Sequence, residues 1–289
     1  MIAKTWGDRL AAAIAVALFC VIPIDYWVVG NANLTNAFGQ SIATIAVATI
    51  VIMSRGPITA MVVVTWTLLI SLALLSHVST FAILLVTLGA LALLWRLFGG
   101  RELRRPAYAL MLATAIAIVF SVVTYWGHFG DVYKNALRVR TAQASATAAT
   151  PATPPQSPEP AGARQGRATA TFGMIGLSLG WPILLLAAVG TWSVARRGAR
   201  DPLVLALAAW GIAFVLFLGV GLMRVEAQFE RYSLEFVTRV AYAASPAAAI
   251  LAAAGAAWAW RAGLALRIAA IAVLLCAIAV GLQQWTAWR

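Results

Sequence analysis

Nine stretches of mostly apolar residues, each close to the roughly 20 that a helix needs to cross a bilayer core, constrain this chain more than any motif in it. They run over residues 10–29, 41–53, 58–75, 78–98, 106–126, 172–195, 202–223, 240–260 and 264–283. The second has a short strictly apolar run and takes in the polar lead-in 34–40 to cross. Such a pattern predicts an all-α, polytopic bundle, because backbone polar groups in lipid must be satisfied within each segment. Composition agrees: 63% of the 289 residues are hydrophobic and 10% charged, where a soluble domain carries about 25% charged residues. Mean hydropathy is +0.89. A soluble globular enzyme, a disordered chain and a disulfide scaffold are excluded. Cys20 and Cys276 both fall inside apolar runs and propose neither a disulfide nor a metal site.

The net charge of +12 belongs to loops and not to nucleic-acid binding. Twelve of the 21 basic residues fall at the N-terminus and in the even-numbered loops: Lys4, Arg9, Arg55, Arg96, Arg101, Arg104, Arg105, Arg196, Arg197, Arg200, Arg261 and Arg267. The first two loops on the other side, 30–40 and 76–77, hold none. The positive-inside rule then predicts an N-terminus inside and a C-terminus outside. A signal peptide over 4–20 is the competing reading. Phe19 is too large for a cleavage site before Cys20, and the apolar run continues to Ile24, so the segment reads as a retained first span.

The other nine basic residues fall outside, together with six of the nine acidic ones and both histidines, His77 and His128. Four units follow: a five-span bundle over 1–127, an outer interfacial helix over 128–140, a disordered outer loop over 141–168 and a four-span bundle over 169–289. The 141–168 tract is Ala, Thr, Pro and Ser-rich, with five prolines from Pro151 to Pro160, and cannot bury enough apolar surface to order itself. Before it, Phe129, Val132, Tyr133, Ala136 and Leu137 share a helical face while Lys134 and Arg138 lie four apart on another. That suits an interfacial helix facing lipid phosphates, or one that merely anchors span five. In the segment 224–239, Arg231, Glu235 and Arg239 recur at four-residue steps and favour charge pairing, whereas Glu226 and Glu230 form a like-charged pair. Ionisable groups at membrane depth are functional candidates by default; a self-neutralising loop is the plain alternative.

Smaller signals read as structural. Gly176 to Gly180 is a GxxxG and predicts close helix packing. Pro23, Pro182 and Pro246 should bend or start helices. Trp258, Trp260, Trp285 and Trp288 sit near span ends as interface anchors. His77, at a helix turn, reads as a hydrogen-bonded cap. No metal-ligand cluster, Walker loop, nucleophile elbow or dinucleotide fingerprint is present, and no cofactor is called for.

The segment Phe229-Glu230-Arg231-Tyr232, the span with Pro246 and its Ala/Gly-rich continuation, and Gly180-Trp181-Pro182 before a Leu/Ala-rich span and a basic loop resemble the C-terminal membrane core of bacterial GT-C glycosyltransferases. These are polyprenyl-phosphate-sugar-dependent enzymes of the protein mannosyltransferase type. The likeness covers about residues 125–260. It implies a multi-pass protein of the bacterial inner membrane, with membrane lipids and a polyprenyl-phosphate-linked sugar as partners and no nucleic acid. Lys134, Arg138 and Arg231 would hold the carrier phosphate, with Tyr232 and His128 beside it. Asp25 and Glu230 would be the carboxylates available to take the acceptor proton.

In that family the catalytic carboxylate lies in a large first external loop, and here that loop spans only about 25–40. The resemblance therefore implies a C-terminal piece whose transferase activity needs a further N-terminal catalytic part, a partner subunit or a non-catalytic relative. Two other classes stay open: an O-antigen ligase or polymerase, and a transporter or structural membrane subunit. A ligase needs a large ordered outer loop, and a transporter needs ionisable groups in broken helices.

Overall fold

The structure, a computed structural model, describes residues 1–30, 34–131, 134, 135, 138, 161–198, 200–223 and 230–287, with side chains except at 29, 30, 78, 161–168, 220–223, 230–236, 285 and 287. Among these, 89% are helical and none is in a strand. The helices are α1 (Ile2–Trp6), α2 (Arg9–Phe19), α3 (Pro23–Gly30), α4 (Leu34–Met53), α5 (Ala60–Ser76), α6 (Val78–Phe98) and α7 (Arg104–Thr124). After a 3₁₀ turn at Trp126–Phe129 come α8 (Ala161–Leu179), α9 (Trp181–Ala195), α10 (Pro202–Met223), α11 (Glu230–Ala262) and α12 (Leu264–Ala287).

Among the described residues six helices are long and apolar enough to cross a membrane: α4, α6, α7, α10, α11 and α12. The remaining apolar stretches divide differently from the sequence pattern. Helices α8 and α9 meet at 92° and make a seventh span only if counted together, while α2 and α5 are shorter apolar helices. Each break has a local cause. Pro23 has no N–H to continue α2 and its fixed φ starts α3 instead. Gly180 stands at φ 86° between α8 and α9, a conformation open to glycine and resisted by L side chains, and Pro182 follows in the first turn of α9. Pro246 lies inside α11.

Gly176 corrects the packing expectation. A Cβ there would strike the Trp181 ring at 2.1 Å, so Gly176 makes room for the chain's own turn and not for a neighbouring helix. The close helix contact lies elsewhere. A Cβ on Gly190 would sit 1.7 Å from the Leu251 carbonyl oxygen, and one on Gly255 would sit 2.1 Å from that of Leu186. Helices α9 and α11 therefore run parallel, backbone against backbone. Around that contact α11 is the central helix, with 83% of its spanning window buried, whereas α12 has 17%. Two apolar cores flank it. One gathers Val47, Trp66, Trp95, Leu110, Leu203 and Ala253; the other gathers Leu18, Ile22, Leu179, Ile183, Ala241 and Ala252. Both draw on residues from either side of the 141–160 segment.

Four of the chain's basic turns meet at one end of the bundle. Arg261 pairs with Asp8 at 2.8 Å and Arg55 with Asp201 at 3.2 Å. Trp6 Nε1 donates to Asp201 Oδ2 at 3.2 Å, and Arg197 stacks over the Trp6 ring. Asp201 also accepts from the Leu203 and Val204 amides and so caps α10. Asp8 caps α2 by accepting from the Ala11 amide. Burial pushes the Asp8 carboxyl up, but the Ala11 amide and the Arg261 and Arg197 guanidinium groups together hold it below the ordinary aspartate value.

Candidate functional site

At the opposite end the polar groups are arranged on a different plan. The break at Pro23 puts Asp25 in the first turn of α3, where the free amides of a helix N-terminus favour a negative charge. The side chain leans on α11. Ser245 Oγ, itself fully buried, donates to Asp25 Oδ1 at 3.2 Å, and the Tyr242 hydroxyl lies in the field of the same carboxylate. Asp25 Oδ2 is shut off from solvent and has no hydrogen-bond partner among the described residues. A buried carboxylate oxygen left without a partner carries a desolvation cost of about 1–3 kcal/mol or more. The site holds that oxygen ready for a proton, a hydroxyl or a cation.

Polar side chains on the neighbouring helices crowd the same end. Asn36 and Gln40, four residues apart on α4, are both buried. Gln40 Nε2 donates to the Ala243 carbonyl at 2.9 Å, tying α4 to α11 two residues before Ser245. Ser79 Oγ lies 3.3 Å from Asn36 Oδ1 and 2.7 Å from His77 Nδ1. His77 caps α6, its Nδ1 accepting from the Ser79 amide at 3.2 Å. Burial, then the positive charge of Arg239 on α11, hold the imidazole below the ordinary histidine value. Gly39 fits between α4 and the α5–α6 turn, where a Cβ would lie 2.3 Å from Ser76 Oγ. On α11, Arg239, Tyr242 and Ser245 follow at three-residue steps, so one helix face serves both His77 and Asp25.

The candidates singled out in the sequence fare unequally. Asp25 is at the centre of this cluster. Glu230, Arg231 and Tyr232 form the first turn of α11 in the backbone, with side chains outside the described residues, as are residues 224–229. His128 is exposed in the 3₁₀ turn. Lys134 is exposed and faces Asp131 at 3.4 Å, so it has a carboxylate beside it already. Gly130, Asp131, Lys134, Asn135 and Arg138 are helical, while the apolar residues Val132, Tyr133, Ala136 and Leu137, together with Arg140, lie outside the described residues. The 3₁₀ turn itself is fastened: Trp126 Nε1 donates to the Leu74 carbonyl at 3.0 Å, and its ring meets Phe81, Tyr125 and Phe129.

Ser245, Tyr242, Asn36 and Ser79 were not predicted as site residues. Asn36 and Gln40 did carry a signal, a polar pair at helical spacing inside an apolar run. Ser245 carried a fainter one, a hydroxyl directly before a proline in mid-span. Among the described residues no three His, Cys, Asp or Glu side chains converge as a metal site. Comparison with protein-family models, with curated proteins and with solved structures returns no match.

Proposed function

We propose that this chain is a multi-pass protein of a bacterial inner membrane that handles a polyprenyl-phosphate-linked sugar at the outer face, as part of a GT-C-type glycosyltransferase. In this reading the chain crosses the bilayer nine times, with the Asp8–Arg261 end inside and the Asp25 end outside. The observation that carries it is the part-buried Asp25 carboxylate, set at a helix break, whose shielded Oδ2 has no hydrogen-bond partner among the described residues. Such an oxygen suits a base that takes the proton of an acceptor hydroxyl as the carrier phosphate leaves. Ser245 holds the carboxylate in one orientation. Lys134, Arg138 and Arg231 offset the negative charge that develops on the phosphate, with Tyr232 and His128 bordering it. Lys134 exchanges Asp131 for the phosphate at little cost, because an exposed ion pair is worth about 0–1 kcal/mol. Glu230 is the second carboxylate available.

The test has two arms. Asp25→Asn should lower sugar transfer in membranes carrying the chain by about 10²–10⁴-fold, the range for loss of a general base, with binding of the polyprenyl-phosphate sugar retained. Arg231→Glu should lower that binding. Unchanged binding in Arg231→Glu together with unchanged transfer in Asp25→Asn would overturn the proposal.

One observation favours a second reading, a transporter. The two helix breaks touch: a Cβ at Gly180 would lie 3.7 Å from Pro23 Cδ. Paired broken helices with an ionisable group at the break are the usual plan of a coupled carrier site. Here Asp25 would take up and release a proton. Proteoliposomes separate the two readings, since only a carrier shows solute-driven proton flux that Asp25→Asn abolishes.

A further inference from the structure

The basic end of the bundle holds a cleft of about 280 Å³, lined by Ser193, Arg196, Arg197, Ala254, Trp258 and Arg261. Its origin is the close contact of α9 with α11. The two backbones touch at Gly190 and Gly255, and about one turn further on Ser193 and Trp258 line the cleft. Trp192 and Trp258 meet there edge to face at 5.1 Å.

The three guanidinium groups at the cleft are held in different ways. Arg261 is paired with Asp8, whose side chain is 6% exposed. Arg196 lies over the Trp192 ring at 3.6 Å and Arg197 over the Trp6 ring at 4.4 Å. Neither makes a salt bridge among the described residues. Stacking on an aromatic face fixes the plane of a guanidinium without using its N–H donors. Two positive charges are thus oriented with their hydrogen-bonding capacity intact, beside a third that an aspartate already offsets. A tetrahedral oxyanion matches that set, because arginine forks bind phosphate oxygens in pairs.

The surroundings choose between a free anion and a lipid. Leu185, Val189 and Trp192 are exposed on α9 and follow the steps that lead to Arg196, so they form one apolar stripe ending at the cleft. An acyl chain laid along this stripe would bring its own headgroup phosphate to Arg196 and Arg197.

We propose that this cleft binds the phosphate of an anionic membrane phospholipid, with its acyl chain on the Leu185–Val189–Trp192 stripe. The site lies at the opposite end of the bundle from Asp25 and does not depend on what Asp25 does. A net charge of about two in the cleft favours an anionic headgroup over a zwitterionic one, and each arginine near the surface contributes about fivefold in affinity.

The experiment is native mass spectrometry of the purified full chain, with phosphatidylglycerol, phosphatidylcholine and inorganic phosphate offered separately and in competition. The wild-type chain should retain phosphatidylglycerol over phosphatidylcholine. Arg196→Gln with Arg197→Gln should lower that retention by about fivefold for each arginine removed. Ser193→Phe, which keeps every charge and fills the cleft, should do the same and serves if the double variant does not fold. Arg101→Gln with Arg104→Gln, an equal loss of charge outside the cleft, should leave retention within about twofold. Equal retention of the two lipids by the wild-type chain would overturn the proposal. So would an equal loss in the outside control, which would mean general attraction to a basic face. Displacement of the lipid by millimolar inorganic phosphate would overturn the lipid assignment in favour of a free-phosphate site.

Discussion

The two ends of the bundle solve the same problem, polar groups on apolar helices, in opposite ways. At the basic end both aspartates hold charged and amide partners, Asp201 through both oxygens and Asp8 through Oδ1. Asp201 meets Arg55, Trp6 and two amides of α10, and Asp8 meets Arg261 and an amide of α2. At the other end Asp25 meets one serine, and its Oδ2 has no hydrogen-bond partner among the described residues. A fully satisfied network rigidifies, while a partly satisfied one stores the capacity to react. The basic end is therefore the frame, and the Asp25 end is where a ligand has something to add.

The two ends are joined by the contact between α9 and α11. Breaking it should have the largest effect on stability. Gly190→Ala or Gly255→Ala drives a methyl into a carbonyl of the partner helix, and overpacking of that kind costs about 1–3 kcal/mol or more. Gly211→Ala on α10 meets nothing within 4 Å and should be neutral or slightly stabilising through helix propensity. Thermal midpoints in detergent check this. Equal midpoints for the Gly190 and Gly211 variants would mean that the α9–α11 crossing does not hold the ends together.

The frame itself comes next. Asp201→Ala removes a helix cap, worth about 0.5–2 kcal/mol, and also strands Trp6 Nε1 and Arg55. The chain should lose stability by roughly that amount and keep its ligand binding. Asp25→Asn should show the reverse pattern. A carboxamide keeps the shape, accepts from Ser245 and carries no buried charge, so stability should hold or rise by about 0.5–2 kcal/mol while activity is lost. Urea or thermal unfolding of the two variants side by side decides the matter. An Asp25→Asn chain as destabilised as Asp201→Ala would make Asp25 another pin in the frame.

What the sequence disclosed and what it withheld follow from what hydropathy measures. Apolar runs mark α4, α6, α7, α10, α11 and α12 because length and polarity decide crossing. The prolines mark the start of α3, the first turn of α9 and the interior of α11, because a missing N–H acts locally. Hydropathy reports nothing about dihedral angles, so it joins 10–29 and 172–195 into single spans, and only Pro23 and Pro182 signal the breaks at Cys20–Ile22 and Gly180. The GxxxG over Gly176–Gly180 misled for a related reason. Spacing identifies a smooth helix surface, but only the fold reveals whether a neighbour or the chain's own Trp181 fills it. Gly190 and Gly255, which do carry a helix contact, stand 65 positions apart and form no motif in either helix. Asp25 was legible as the lone acid in the first external stretch. Its serine from α11 was not, because pairing across 220 positions leaves no trace in local pattern.

The smallest effects are those of pH, and they separate the two ends along one titration. His77 at the Asp25 end is held neutral by burial and then by Arg239. Its folded value lies below the unfolded one near 6.5, so between the two the unfolded chain binds more protons. The stability from keeping His77 neutral is present above about 6.5 and is lost as pH falls through that window. Asp8 at the basic end also has a lowered value, below 3.8, and its contribution persists until pH falls below the ordinary aspartate range. In an Asp25→Asn background, acidification should therefore lower the melting temperature in two steps, His77 first and the frame second. His77→Asn keeps an N-cap and removes the titration, so the upper step should disappear while the lower remains. Asp8→Asn should flatten only the lower step. Differential scanning fluorimetry across pH 3–8 resolves the two steps. An upper step that survives His77→Asn would assign the titration to another group and remove His77 from the account of that end.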